Sequence, residues 1–286
     1  MLPLELVKLT ALTARTKGNP SVRIGLIDGP VFAEHPDLAG SRFSYLSSTD
    51  GTCSRTSSMA CVHGTFVAGV LAARPSSVAP GICPGCTLLI RPIFPETTSD
   101  RTQMPSATPE QLAAAILECV DAGARVINLS LNLAQPSSKG EQALEEALNQ
   151  SGRRGVIIVA AAGNQGTVGS TAITRHPWVI PVVGCDSQGR PTAESNLGSS
   201  IGKYGLAAPG ENIVSLGPDG KPVTFSGTSA AAPFVTGTIA LLWSEFPSAT
   251  AAQIKLAVTQ SAKRGRRTIA PPLLDAWSAY GAMSRT

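Results

Sequence analysis

Charged and aromatic side chains are scarce in this sequence, at 15% and 5% of its 286 residues, against 43% hydrophobic residues. Intrinsic disorder needs the opposite balance and is excluded. A net charge of +4 is too small at this length to argue for a nucleic-acid partner. The longest uninterrupted apolar run is Val156 to Ala162, far short of the roughly 20 residues a membrane helix needs. Lys8, Arg15 and Lys17 interrupt the N-terminal region, so no secretory apolar segment forms there. The expectation is a cytoplasmic protein with no membrane partner. Six cysteines are too few for a disulfide-dense scaffold.

What is present is an alternation of strand and helix signals. Arg23 to Asp28 is a short apolar run closed by Gly29-Pro30, the pattern of a buried strand ending in a turn. Further strands are expected at Thr87–Phe94, Arg125–Leu131, Val156–Val159 and Trp178–Cys185, with short ones between Lys203 and Gly227. Helices are expected at Gly64–Ala73, Glu110–Ala124, Glu141–Gln150, Ala230–Phe246, Ala251–Ser261 and Leu273–Met283. This order predicts an α/β fold, a doubly wound, mostly parallel sheet with helices on both faces. No repeat or linker divides it, so residues 1–286 read as one domain. Ligands of such sheets bind beyond the carboxyl ends of the strands, where Asp28, Ser130 and Asn164 fall.

Three blocks carry chemistry: Leu26-Ile27-Asp28-Gly29, His63-Gly64-Thr65 and Ser226-Gly227-Thr228-Ser229-Ala230. A fourth, Ala160-Ala161-Ala162-Gly163-Asn164, lies between the second and the third. A serine hydroxyl is a weak nucleophile until a base takes its proton. Ser229 opens a helix, at the positive end of the helix dipole. His63, also near a helix start, is the candidate base, and Asp28 would hold its ring. The side-chain NH₂ of Asn164 suits a developing oxyanion. Taken singly, each residue reads as a turn or a cap; together, in the order Asp, His, Ser, they point to acyl transfer.

By these four blocks the chain resembles the subtilisin-like serine proteases, the subtilases. The resemblance implies a subtilisin-like fold and catalytic Asp28, His63, Asn164 and Ser229. It implies an extended peptide substrate bound along Ser130, Leu131 and Asn132, with Ala161, Ala162 and Gly163 as the opposite wall. No cofactor is required. The family usually has Gly at Asn132, so a side chain there would reshape the first specificity pocket. It also has Ser or Thr more often than Gly29 after the Asp. The segment Pro95 to Pro109 would give the second edge for substrate and set specificity beyond that pocket. Asp37 matches a calcium position of the family. The facing Arg74-Pro75-Ser76-Ser77-Val78 carries a cation and lacks an Asn, so no metal is expected.

A narrower resemblance runs over residues 12–31, with Cys86–Phe94 and Glu110–Ala113, to the cyanobactin-pathway subtilases. These process ribosomally made precursor peptides by removing a leader. The macrocyclases of that group carry a helical insertion between Asp and His, for which the 35 positions from Asp28 to His63 leave no room. Hydrolysis is therefore favoured. Only 27 residues precede Asp28, so neither the signal nor the long pro-domain of secreted subtilases is expected. The other readings are a general intracellular subtilase, a transpeptidase or macrocyclase, and an inactive peptide-binding module. Cys53 and Cys61, and Cys83 and Cys86, are either two local disulfides or free thiols. A zinc site on these four has poor spacing. Cys119 and Cys185 read as core, and Lys263 to Arg267 as a solvated basic helix end.

Overall fold

The computed structural model describes residues 2–46, 52–96, 106–133, 140–261 and 268–285. In chain order the strands are β1 (Arg23–Asp28), β2 (Arg42–Tyr45), β3 (Thr87–Pro92), β4 (Ser106–Ala107), β5 (Val126–Leu129), β6 (Asn132–Leu133), β7 (Ile157–Ala161), β8 (Val179–Cys185), β9 (Leu206–Pro209), β10 (Ile213–Leu216) and β11 (Pro222–Phe225). The helices are α1 (Pro3–Leu6), α2 (Leu9–Arg15), α3 (Met59–Ala72), α4 (Pro109–Asp121), α5 (Glu141–Arg153), α6 (Ala172–Arg175), α7 (Ser199–Tyr204), α8 (Thr228–Glu245), α9 (Ala251–Ser261) and α10 (Ala276–Met283).

Seven strands form one sheet in the order β2-β3-β1-β5-β7-β8-β9, and every pairing in it is parallel. Strands β5, β7, β8 and β9 are buried along nearly their whole length because both faces are covered, whereas the edge strand β2 is mostly exposed. In β7, Ile157 and Val159 join the core beneath α3 and α8, while Ile158 and Ala160 join the core beneath α4 and α5. That is the two-residue alternation of a strand. The expected doubly wound α/β fold is met. The order reverses at β1, which has β3 on one side and β5 on the other. Parallel α/β sheets open a crevice at such a reversal, here beyond Asp28 and Ser130.

Helix α8 is the axis of the larger core, with Ala230 to Trp243 buried along its whole length. A helix apolar all round needs burial on every side, and α8 has the sheet, α3 and α9 around it. Helices α1, α2, α6 and α7 and strands β2, β4 and β6 have no counterpart in the sequence reading. Helix α2 packs on α10 and α8, with Leu9 and Leu12 fully buried, α1 packs on α2, and β2 adds an edge strand. Helix α3 starts five residues earlier than Gly64 because Ser58 caps it, accepting from Cys61 N–H at 3.1 Å. Lys263 to Arg267 lies outside the described residues.

Trp243 is buried, and its indole N–H donates to the carbonyl of Ala249 at 3.0 Å. Replacing it by Ala is expected to cost about 3–5 kcal/mol, read as a lower denaturant midpoint with an unchanged slope. A loss below about 1 kcal/mol, the range of tolerated core swaps, contradicts this account of α8.

Candidate active site

The site begins with a backbone contact. A Cβ on Gly29 would lie 1.9 Å from the carbonyl oxygen of Ala60, and one on Gly64 would lie 2.4 Å from that of Gly29. Only glycine at both positions lets the turn after β1 press against α3. Phe32 N–H adds a hydrogen bond to Thr65 Oγ1 at 2.9 Å. This approach brings His63, in the second turn of α3, over the end of β1. His63 Nδ1 lies 2.7 Å from Asp28 Oδ1, which also accepts from Gly29 N–H at 2.7 Å. Asp28 is wholly buried and His63 nearly so. Asp28 Oδ2 is buried with no hydrogen-bond partner. The contact with Ala60 explains the departure from Ser or Thr at position 29, since either would need the excluded Cβ.

Phe225 of β11 closes the far side of the imidazole, edge-on at 5.8 Å, and packs in turn on Phe66. Ser229, half-buried, is the second residue of α8, a helix that packs against α3. Its N–H belongs to the first turn, where backbone donors have no partner within the helix. Among the described residues no hydrogen bond joins His63 to Ser229; such contacts are often long without substrate.

Asn164 is oriented by a residue that the sequence reading passed over. Its Oδ1 accepts from Thr228 N–H at 2.8 Å and from Thr228 Oγ1 at 2.9 Å. With the carbonyl end taken, the NH₂ end remains available to donate. Gly227, at φ 119°, caps α8 in a backbone form that side chains avoid. A Cβ there would also meet the Asn164 amide at 2.8 Å. Asn196 holds the same loop from behind. Its Oδ1 accepts from Gln165 N–H and Thr167 N–H, and its Nδ2 donates to Ala162 O. Thr228 lies in the Ser226–Ala230 block but has no role of its own in the sequence reading, and Asn196 carries no signal in the sequence.

The expected walls divide. Ala161 ends β7, half-buried, while Ala162 and Gly163 follow it, buried. Gly163 N–H donates to Thr228 Oγ1 at 3.1 Å, and Gly163 O accepts from Asn196 N–H. Ser130 and Leu131 follow β5 and are buried. Asn132 begins β6, paired with Ser106 of β4, so the end of the 95–109 segment runs beside the expected substrate edge. The Asn132 side chain and residues 97–105 lie outside the described residues.

Asp37 does not fit calcium. Arg74 Nε lies 2.7 Å from its Oδ1, and Ser77 Oγ donates to its Oδ2 at 2.7 Å. Its neighbours offer a guanidinium and a hydroxyl proton where calcium wants six to eight oxygens. Cys53 and Cys61 form a disulfide just before His63, while Cys83, Cys86, Cys119 and Cys185 are free and buried. The alternative of two local disulfides is thus met at one pair alone. Burial pushes the Cys119 and Cys185 thiols up to about 12, so both stay neutral in the core. Glu96 accepts from Ser54 N–H at 3.0 Å and Arg55 N–H at 2.9 Å, tying the disulfide loop to the end of β3.

A family model described as the subtilase family matches residues 19–276. A thermostable alkaline protease of Halalkalibacterium halodurans is 32% identical over 243 residues, 84% of this chain and 62% of that protein. This chain thus spans less than two thirds of that relative's length. Among solved structures, a mutant of the protease domain of PatA has a TM-score of 0.85 at 32% identity, covering 94% of this chain and 97% of the other. The prenylagaramide maturation protease PagA has a TM-score of 0.84 at 28% identity, covering 96% and 98%. The expected likeness to precursor-processing subtilases is borne out by these two.

Two predictions follow from the geometry. Gly29→Ala must push α3 away from β1. It is expected to destabilise by more than the about 1–3 kcal/mol of ordinary overpacking. It should also abolish the low-field proton resonance of the Asp28–His63 hydrogen bond, and retention of that resonance refutes the contact argument. At Asp37, the hydrogen bond from Ser77 holds the carboxyl below the ordinary aspartate value, against burial, and Arg74 adds to it. A lowered folded value stabilises at pH above the ordinary one, and that stability is lost as pH falls through the lowered one. Wild type is therefore expected to melt above Ser77→Ala at neutral pH, the gap closing in acid. A gap that widens in acid contradicts the assignment.

Proposed function

This chain belongs to the subtilase family of subtilisin-like serine proteases, and on that premise we propose that it hydrolyses peptide bonds with Ser229 as nucleophile. The observation that carries the reading is the buried 2.7 Å contact of Asp28 Oδ1 with His63 Nδ1. With Nδ1–H donated to the carboxylate, the other ring nitrogen is left as a base. His63 takes the Ser229 proton as Oγ attacks the scissile carbonyl carbon. The carbonyl oxygen becomes an oxyanion facing Asn164 Nδ2 and the Ser229 N–H. Collapse breaks the C–N bond, and His63 gives its proton to the leaving amine. Water then attacks the acyl-enzyme by the same route, restoring Ser229. Asp28 holds the ring and supports the imidazolium.

The substrate class proposed is a ribosomally made precursor peptide, cut to remove its leader. PagA, similar over nearly the whole chain, is named a maturation protease. The peptide would lie extended along Ser130, Leu131 and Asn132, against Ala161, Ala162 and Gly163. Residues 1–286 would act as one catalytic domain. Hydrolysis is preferred to ligation because the described residues between Asp28 and His63 hold one 3-10 turn, β2 and the start of α3, with no separate helical insertion. No helix among the described residues is long and apolar enough to cross a membrane. A cytoplasmic location belongs to the same proposal. The Cys53–Cys61 disulfide weighs against it, because disulfides are rare in that compartment.

The test is mass spectrometry of a diverse peptide pool, with Ser229→Ala as control. Linear cuts at one sequence pattern, absent in the variant, are expected. Broad casein digestion removes the dedicated-processing reading, and products lighter by one water mean cyclisation instead. Asn164→Ala is expected to lower kcat by about 10²–10³ with KM little changed. The magnitude is that measured for the oxyanion Asn of subtilisin, a member of the same family. An unchanged kcat removes Asn164 from the mechanism.

A further inference from the structure

Helix α8 carries Pro233 four residues after Ser229. In a regular helix the N–H at that position would bond to the Ser229 carbonyl, and proline has none. The nucleophile's own carbonyl is thus released from the helix ladder at the point where its side chain must be held. A partner reaches it from outside the helix. Ser130 Oγ donates to Ser229 O at 3.0 Å. Ser130 in turn accepts from Asn128 Nδ2 at 2.8 Å. Asn128 Oδ1 accepts from Thr236 Oγ1 at 2.8 Å. Asn128, Ser130 and Thr236 are all fully buried.

The direction of this chain is set at its far end. The Thr236 hydroxyl gives its proton to Asn128, so the Asn128 amide must turn its NH₂ toward Ser130. Ser130 then has its proton left for Ser229. Thr238, two residues along the same helix, shows the ordinary alternative, donating back to the Phe234 carbonyl at 2.8 Å. Thr236 forgoes that bond. The chain leaves α8 at Thr236, crosses to β5 and returns to α8 at Ser229. It pins the first turns of the helix to the strand that leads into the expected substrate edge.

We infer that Asn128 is a positioning residue for the peptidase reaction, holding the Ser229 backbone through Ser130 and keyed by Thr236. This rests on the serine-peptidase reading above. It also gives the Ser130 side chain a task apart from substrate, which its backbone would bind. Polar chains of this kind act as a unit, so removing any link should release the same carbonyl.

The experiment is steady-state cleavage of one peptide by wild type, Ser130→Ala, Thr236→Val, Asn128→Leu and the Ser130→Ala/Thr236→Val double variant. Rates are divided by active sites titrated with a fluorophosphonate, so loss of folded protein does not count. Each variant is expected to lose about 10-fold in kcat per titrated site, with KM unchanged, through a displaced nucleophile. The double variant should lose no more than either single one. If Asn128→Leu does not fold, the Ser130 and Thr236 variants carry the test alone. Wild-type kcat per site in them, or losses that multiply, overturns the inference. If wild type neither cleaves nor labels, the peptidase reading itself fails and this inference with it.

Discussion

The structure turns on one buried carboxylate. Taking Asp28 out of water carries a desolvation cost that only close, directed partners offset. One of its oxygens has two such partners, and the other has none. The arrangement stands because β1 and α3 meet through glycine at positions 29 and 64, and nothing larger fits. A protein selected for stability alone gains little from an exposed-to-buried transfer of this kind. An imidazole held at 2.7 Å from a buried carboxylate is instead fixed in its direction, as the proposed base would need to be.

The rest of the molecule arranges partners around that pair. The sheet reverses its order at β1, so the ends of β1 and β5 face one crevice. Helix α8, buried along its length and packed against α3, carries Ser229 in its first turn. Proline 233 and the Asn128–Ser130–Thr236 chain decide how that turn is held. Thr228 holds the oxygen end of the Asn164 amide, and Asn196 holds the loop that carries it. In each case an ordinary helix or loop contact is given up for one between elements, so the site is tied to the core and not to its own loops.

Much of this is legible in the sequence. Apolar runs bounded by Gly and Pro mark the strands, and the residues that end them, Asp28 and Asn164, are polar where a buried strand should stop. The four blocks of the candidate site are read from residue type and order. The illegible parts share a physical cause: they depend on contacts far apart in sequence. Thr236 looks like a helix residue with a back-bonded hydroxyl until Asn128, on another element, is placed beside it. Gly29 looks like a turn glycine until Ala60 arrives. Helices α1 and α2 are too short to show a period, and α2 is fixed by packing on α8 and α10. The start of α3 is hidden because its cap, Ser58, sits among other polar residues.

The most direct test of the account is a crystal structure of the protein with a peptide aldehyde. The account predicts a covalent bond from Ser229 Oγ to the aldehyde carbon, with the Asp28–His63 contact kept. It places the resulting oxygen about 2.7–3.1 Å from Asn164 Nδ2, the reach of an oxyanion donor. An aldehyde bound away from Ser229, or an adduct whose oxygen faces away from Asn164, contradicts it.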